Sequence, residues 1–141
     1  MIDCVVDASV LVKLVVDEPD ASATVAYLGR REVGAPGIAI AETANVLRRL
    51  VKSRKFTSEQ AHAALETIVD KTDLLPETAA ETRLTLDLAV ALDHPAQDCR
   101  YLAAAIARKV PLITADDGFV RKARAAGHDA RALAESITPG G

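Results

Sequence analysis

The chain of 141 residues is half hydrophobic, 26% charged and only 3% aromatic, with a formal net charge of −3. This composition is typical of one globular domain with an aliphatic core. It excludes a disordered chain and argues against a protein that only grips nucleic-acid phosphates, since such proteins are usually basic. No apolar run approaches the roughly 18 residues of a membrane helix, and residues 1–3 lack the basic segment of a signal peptide, so we expect no membrane association.

The first predicted strand covers residues 2–6, a short apolar run with three β-branched residues, and it ends at Asp7. We predict a buried strand here, followed by a helix over residues 10–16 with Ser9 as its N-cap. In open parallel sheets, ligands bind outside the carboxyl ends of the strands. Asp7 is therefore either a functional carboxylate or a simple cap of the next helix, and this stretch alone favours neither interpretation.

A second helix is predicted from residue 19 to residue 28, with Pro19 in its first turn and Gly29 at its end. Residues 33–35 are a weaker strand candidate. A long helix follows over residues 38–54, where apolar residues at helical spacing form a stripe. These residues are Ile40, Ala44, Leu47 and Val51.

Polar residues occupy another face of this long helix. Glu42 is followed at helical spacing by Asn45 and Arg49. Basic residues gather near the helix end, namely Arg48, Arg49, Lys52 and Lys55. The simpler interpretation is a solvated face whose cations stabilise the negative end of the helix dipole. The functional alternative is a surface that binds phosphates next to Glu42.

The second half of the chain contains two capping-box patterns, at residues 57–60 and 78–81, and each predicts the start of a helix. The first helix runs to about residue 71 and is followed by a short strand at residues 74–75, whereas the second carries Leu84, Leu88 and Leu92 inward. The helix after that has Asp98 in its first turn. An apolar strand at residues 112–114 leads to Asp116, and a helix over 117–126 and a short strand at 129–133 complete the domain.

Four acids thus occupy strand ends or helix starts: Asp7, Glu42, Asp98 and Asp116. Alternating strands and helices predict a parallel sheet with right-handed crossovers, which brings the carboxyl ends of the strands to one edge. Helix capping explains any one of these acids, but it explains the set less well than a shared site does. Clustered carboxylates need a counter-charge because they repel each other. Oxygen ligands without Cys or His at metal spacing fit Mg²⁺ or Mn²⁺.

Histidines and cysteines are the remaining candidates for chemistry. We interpret His62, His94 and His128 as surface or interface residues, since a lone histidine is rarely functional. Cys4 and Cys99 are too few for a disulfide framework. We interpret them as small buried hydrophobic residues of a protein from a reducing cytoplasm.

Four segments of the chain carry a family resemblance: VVDAS at residues 5–9, AETANVL at 41–47, QDCRYLA at 97–103 and LITAD at 112–116. In this order and spacing they resemble the four motifs of PIN-domain ribonucleases, in particular the VapC toxins of toxin–antitoxin pairs. The resemblance covers nearly the whole chain. It implies an α/β fold, a PIN-like three-layer sandwich with a central parallel sheet of four to five strands flanked by helices. Residues 1–137 would form this single domain and residues 138–141 a flexible tail.

The resemblance also implies roles for individual residues. The acids Asp7, Glu42, Asp98 and Asp116 would be the catalytic quartet that binds Mg²⁺ or Mn²⁺. The accessory polar residues would be Ser9, Asn45 and Thr114, with Asp117 as either a further ligand or a helix cap. Gln97 and Cys99 depart from the family, which often has an aromatic residue before Asp98 and Ala after it. The departure affects local packing more than the site, because the acid is kept.

The activity implied by the resemblance is endonucleolytic cleavage of structured RNA such as tRNA or rRNA, by a homodimer that a VapB-type antitoxin inhibits. The basic residues Arg48, Arg49, Lys52 and Lys55 would then bind the RNA backbone. One alternative is a non-catalytic interaction domain whose acidic edge binds a basic protein segment. A receiver domain like those of response regulators is a poorer alternative, because such domains need a Lys at a late strand end and the chain has none there.

Overall fold

The computed structural model describes residues 1–138. Its strands are β1 (Cys4–Val6), β2 (Val33–Pro36), β3 (Thr72–Leu75), β4 (Leu112–Thr114) and β5 (Ala130–Ala132). Its α-helices are α1 (Ala8–Leu11), α2 (Ala21–Gly29), α3 (Ile38–Lys52), α4 (Ser58–Lys71), α5 (Ala79–Leu92), α6 (Ala96–Arg108), α7 (Asp117–Ala125) and α8 (Leu133–Ile137), and a 3₁₀ turn covers Val12–Leu14. Residues 139–141 of the predicted tail lie outside the described part of the chain.

The strands form one parallel sheet in the order β3-β2-β1-β4-β5, which confirms the predicted parallel sheet of four to five strands. Strands β2 and β3 lie on one side of β1, and β4 and β5 lie on the other. The strand order therefore reverses between β1 and β4, where Val6 is paired with Ile113. The next residues, Asp7 and Thr114, stand side by side at this switch point, the place where open α/β sheets bind ligands.

Helices cover the sheet as the predicted three-layer sandwich requires. Helix α6 packs on β1, β2 and β4 with α5 against it, whereas α1 packs on α3 and α3 packs on α4. The central strands and α6 supply the core, where Val5, Val6, Leu102 and Ile113 are fully buried. Within residues 1–138, no helix combines the length and the hydropathy needed to cross a bilayer.

Both cysteines are buried and unpaired, as the sequence predicts. Burial raises the pKa of the Cys4 thiol to about 11, and burial also raises the pKa of Cys99. A thiol held in its neutral form is a poor nucleophile and a poor metal ligand. The two side chains therefore serve as small core residues.

Helix α1 starts two residues earlier than predicted, because Asp7 and not Ser9 is its N-cap. The Asp7 backbone is extended (φ −98°, ψ 176°), and its side chain accepts a hydrogen bond from the amide of Val10. After Leu11 the chain tightens into the 3₁₀ turn, so the predicted helix over residues 10–16 is cut short. Four of those seven residues are valines, whose branched Cβ lowers helix propensity. Helix α2, by contrast, begins two residues later than predicted, at Ala21.

Helix α3 turns a different face to the core than its apolar stripe predicts. Its buried residues are Ala39, Thr43 and Leu47, of which only Leu47 belongs to the stripe, and the stripe residue Ile40 is partly buried against the core. Ala44 and Val51 line an open groove against α4 instead. Packing against two neighbouring helices therefore divides the apolar residues of α3 between the core and this groove.

The two predicted capping boxes have different outcomes. Thr57 and Gln60 form both reciprocal hydrogen bonds at the start of α4. At the start of α5, Thr78 accepts a hydrogen bond from the amide of Glu81. The Glu81 carboxylate, however, pairs with Arg108 on α6 at 3.1 Å. Only half of the second box forms, because this contact between α5 and α6 takes the side chain that would complete it.

Candidate metal site at the sheet switch point

A cleft of about 330 Å³ opens at the switch point between β1 and β4. It is lined by Asp7, Ala8, Ser9, Glu42, Asp98, Tyr101, Ala115 and Asp116. All four predicted acids are in this set. Among the described residues, no Lys or Arg side chain lines the cleft. The fold therefore gathers four carboxylates from four separate segments around one opening.

Asp7 is the most enclosed of the four acids. Its Oδ1 accepts hydrogen bonds from the Ser9 hydroxyl (2.5 Å) and the Val10 amide (3.3 Å), and its Oδ2 accepts one from the Thr114 hydroxyl (2.5 Å). Burial raises the pKa of Asp7, and the nearby Asp98 carboxylate raises it further, while these three donors lower it. Its hydrogen bonds thus fix the position of the Asp7 side chain, while its burial disfavours the charged form of the carboxylate.

Asp116 follows β4 and is the N-cap of α7. Its Oδ1 accepts a hydrogen bond from the amide of Phe119 at 3.0 Å, so capping and a place in the cleft are compatible in one residue. The amide of Asp116 donates to the Thr114 hydroxyl oxygen at 3.2 Å. Thr114 is fully buried, and its single hydroxyl therefore links the acid at the end of β1 to the acid after β4.

Glu42 reaches the cleft from the second turn of α3. Its Oε1 accepts hydrogen bonds from the Tyr101 hydroxyl (3.2 Å) and the Gln97 side-chain amide (3.3 Å), both on α6. Tyr101 is almost fully buried. Burial raises the pKa of the Tyr101 hydroxyl, and the Glu42 carboxylate raises it further, so this hydroxyl remains a hydrogen-bond donor.

Asp98 lies in the first turn of α6, and its side chain is 47% exposed. Its Oδ2 contacts His94 Nε2 at 2.8 Å. The side chain of His94 is 12% exposed, which is more enclosed than an isolated surface histidine. His94, Asp98 and Asp116 each offer one ligand atom, and these atoms lie within 4.8 Å of one another.

Three of the acids keep a carboxylate oxygen that has no hydrogen-bond partner within residues 1–138. These oxygens are Oε2 of Glu42, Oδ1 of Asp98 and Oδ2 of Asp116. In each case the other oxygen is held by a protein donor, which fixes the position of the carboxylate. Fixed carboxylates with a remaining oxygen are suited to bind a hard divalent cation.

The predicted accessory residues separate into two groups. Ser9 and Thr114 hold Asp7, and the Ser9 hydroxyl also accepts a hydrogen bond from the Ala115 amide at 3.3 Å. Asn45 does not line the cleft, and its side-chain oxygen accepts a hydrogen bond from Arg48 at 3.2 Å. Asp117 is exposed as the first residue of α7 and does not line the cleft either.

The predicted basic residues lie away from the cleft, towards the C-terminal end of α3. Arg48 and Lys52 line the groove of about 450 Å³ between α3 and α4, while Arg49 and Lys55 are exposed. At about 1.5 Å of rise per residue, Lys52 lies about 15 Å along α3 from Glu42.

Three residues that hold the acids were missed in the sequence, namely His94, Gln97 and Tyr101. Tyr101 and Gln97 lie 59 and 55 residues from Glu42, and no local pattern predicts such contacts. His94 precedes Asp98 by four residues across the start of α6. That spacing is the one signal that could have found it.

Comparisons with known proteins identify the fold and the family. The family model for the PIN domain matches residues 4–125. Among solved structures, PAE2754 from Pyrobaculum aerophilum is similar with a TM-score of 0.73 and 19% identity, over 96% of this chain and 93% of that one. A chain in the structure of VapBC2 from Rickettsia felis bound to a DNA fragment from their promoter is similar with a TM-score of 0.69 and 17% identity, over 92% and 97%. No curated protein sequence matches the chain. The structural similarities establish the fold, and the family model, which spans most of the sequence, shows that the chain belongs to the PIN domain family.

Proposed function

We propose that this protein is an endoribonuclease that depends on Mg²⁺ or Mn²⁺. The observation that carries the proposal is the cleft wall, which combines four carboxylates with no Lys or Arg side chain. Two like charges about 4 Å apart repel by roughly 4 kcal/mol at an effective dielectric of about 20. A wall of this kind therefore attracts a cation.

The donor set fits a hard divalent ion. The free oxygens belong to carboxylates, the ligands that Mg²⁺ and Mn²⁺ prefer, and they come from Glu42, Asp98 and Asp116. Asp7 adds negative charge beneath them. A bound ion of this class would supply Lewis acidity toward a phosphoryl oxygen and a lowered pKa for water.

The chain's own residues orient these groups. The Ser9 and Thr114 hydroxyls fix Asp7, and Tyr101 fixes one oxygen of Glu42. The other oxygen of Glu42 has no protein partner within residues 1–138 and would be available to the ion. Such positioning and charge placement are what phosphodiester hydrolysis needs from a protein, because reacting groups already held in place lose little further entropy.

The choice of RNA as substrate rests on the motif resemblance to VapC toxins. The similarity in fold to a chain of VapBC2 from Rickettsia felis supports the antitoxin partner. On this basis the substrate is a structured RNA such as tRNA or rRNA, and the biological role is that of a toxin inhibited by a VapB-type antitoxin. The basic residues at the C-terminal end of α3, and Lys55 just beyond it, would bind RNA phosphates at a distance from the cleft.

The proposed homodimer has a surface that would suit it. Leu86 and Val90 are one helical turn apart on α5 and are 63% and 75% exposed, which leaves an apolar patch on that helix. Light scattering of the purified chain would test this part of the proposal. A dimer that Leu86→Asp converts to a folded monomer is expected, and a wild-type monomer at all accessible concentrations would contradict it.

The experiment that tests the proposed activity is cleavage of total cellular RNA by purified, antitoxin-free protein, with Mn²⁺ or Mg²⁺ against EDTA. We expect discrete cuts that require the metal and disappear in Asp116→Asn. Asp129→Asn is the control, since Asp129 pairs with Arg131 on β5 and does not line the cleft. A folded wild type that binds metal and cuts no RNA would favour the non-catalytic interaction domain.

A further inference from the structure

His94 makes an unusually complete set of contacts for a residue just outside the cleft. It follows α5, and its Nε2 lies 2.8 Å from Oδ2 of Asp98. Its ring is stacked on Phe119, with centroids 4.4 Å apart and planes inclined by 12°. The stacking fixes the plane of the imidazole, so the direction of its hydrogen bond to Asp98 is also fixed.

The other ring nitrogen faces a cation. Nδ1 of His94 lies 3.3 Å from Nζ of Lys122, and the same ammonium donates to the backbone oxygen of Asp93 at 3.0 Å. A lysine ammonium has donors and no acceptor. Nδ1 therefore accepts the hydrogen bond, which leaves the ring hydrogen on Nε2, where it is donated to Asp98.

These contacts connect Asp98 to Asp116, the other acid whose ligand atom lies within 4.8 Å of those of His94 and Asp98. Phe119 and Lys122 both lie on α7, and α7 begins at its N-cap Asp116. Helix α7 thus holds the imidazole that holds Asp98, so the relative position of the two carboxylates is set through His94. Oδ1 of Asp98 has no hydrogen-bond partner within residues 1–138 and is left for an ion.

We propose that His94 is a positioning residue for the metal site: it orients the Asp98 carboxylate toward the ion shared with Asp116, and it is not itself a ligand. This inference rests on the proposed function. Both ring nitrogens are already engaged, and a nitrogen that carries a hydrogen cannot coordinate a cation. Hydrogen-bond partners that orient ligands typically change metal affinity by about 10–100-fold when removed.

Mn²⁺ binding to the full chain, measured by calorimetry, separates this role from simple packing. His94→Phe keeps an aromatic ring that can stack on Phe119 but lacks the donor, and we expect it to bind Mn²⁺ about 10–100-fold more weakly with little change in Tm. His94→Gln restores a nitrogen donor near the position of Nε2, and we expect it to recover most of the affinity. The control is His128→Ala, whose histidine lies between α7 and β5, and its Mn²⁺ affinity should equal that of the wild type.

Pulsed electron paramagnetic resonance of the Mn²⁺-loaded wild type gives the second readout. We expect no nitrogen coupling from a directly bound imidazole. Such a coupling would overturn the proposal, because His94 would then be a ligand. A His94→Phe variant that binds Mn²⁺ as tightly as the wild type would also overturn it. A wild type that binds no Mn²⁺ would overturn the proposed function and this inference together. A wild type that binds Mn²⁺, with equal affinity in His94→Phe, would overturn this inference alone, so the two failures are distinguishable.

Discussion

Replacement of Asp7 by Asn should stabilise the metal-free protein and reduce its response to metal. Burial raises the pKa of Asp7, so the folded protein disfavours the charge that the proposed function needs. The amide of Asn retains the size of the side chain and can accept hydrogen bonds from Ser9 and Val10. Its nitrogen can donate to the Thr114 oxygen, whose hydroxyl hydrogen is free to rotate.

The pH dependence of this effect has a definite sign. Since the pKa of Asp7 is higher in the folded chain than in the unfolded chain, the folded state binds more protons between the two values. The free energy of unfolding therefore falls as pH rises through that window. The cost is complete above the folded pKa and absent below the unfolded pKa. The stability advantage of Asp7→Asn should accordingly shrink as pH is lowered through the window.

The magnitude follows from chain length and mass action. Stabilising substitutions commonly gain roughly 0.5–2 kcal/mol. With about 2.1 cal/mol/K of unfolding entropy per residue, a chain of 141 residues changes its Tm by about 3 °C per kcal/mol, so we expect a gain of about 2–7 °C. Mn²⁺ at about 100 times its Kd adds about 2.7 kcal/mol to the wild type, which is a shift of about 9 °C.

Thermal unfolding with and without Mn²⁺, at several pH values, measures both effects. Asp3→Asn is the matched control. Asp3 also accepts a hydrogen bond from a backbone amide, that of Glu32 at 2.8 Å, but it is exposed and precedes β1 at the opposite edge of the sheet. The reasoning is refuted if Asp7→Asn lowers the Tm of the metal-free protein or leaves the Mn²⁺ shift intact.

Three further predictions concern stability and RNA binding. Thr114→Val removes a buried hydroxyl that donates to a carboxylate, and we expect it to cost about 1.5–3 kcal/mol in urea unfolding; a neutral result would contradict that role. The double variant Lys52→Glu and Lys55→Glu should weaken RNA binding. The slope of log binding constant against log salt concentration should become shallower by about 0.7–0.9 for each phosphate that the variant no longer binds. An unchanged slope would show that these residues are not part of the RNA interface. Gly34→Ala places a methyl group 2.8 Å from Cδ1 of the half-buried Ile2, a side-chain end that can shift, and should cost about 1 kcal/mol. Gly29→Ala, with nothing within 4 Å, should be neutral or stabilising; equal stabilities of the two variants would contradict the packing argument.

Local sequence patterns predict the elements of this fold well. The apolar run before Asp7 and the capping residues Thr57 and Thr78 each act within a few residues, so their signals survive without the tertiary structure. Alternation of these elements then predicts the parallel sheet, and the sheet edge predicts which acids come together. Glu42 and Asp98 reach the cleft for this reason, although they lie 56 positions apart in the sequence.

Tertiary contacts decide the features that the sequence did not predict. The buried face of α3 depends on how α1 and α4 pack around it, and Glu81 leaves its capping box for an arginine 27 residues away. The hydrogen bonds that hold Glu42 and Asp98 in place also depend on tertiary contacts. Gln97, which departs from the family pattern, has a donor role toward Glu42 that only the packing of α6 beside α3 reveals.

The central claim is that the acids around the switch-point cleft form a divalent-cation site, and anomalous diffraction from crystals soaked in Mn²⁺ tests it most directly. We predict a manganese peak in the cleft within bonding distance of the free oxygens of Asp98 and Asp116, and no such peak in crystals of Asp116→Asn. A wild-type crystal whose cleft is open to the soaking solution and that shows no manganese there would contradict the account.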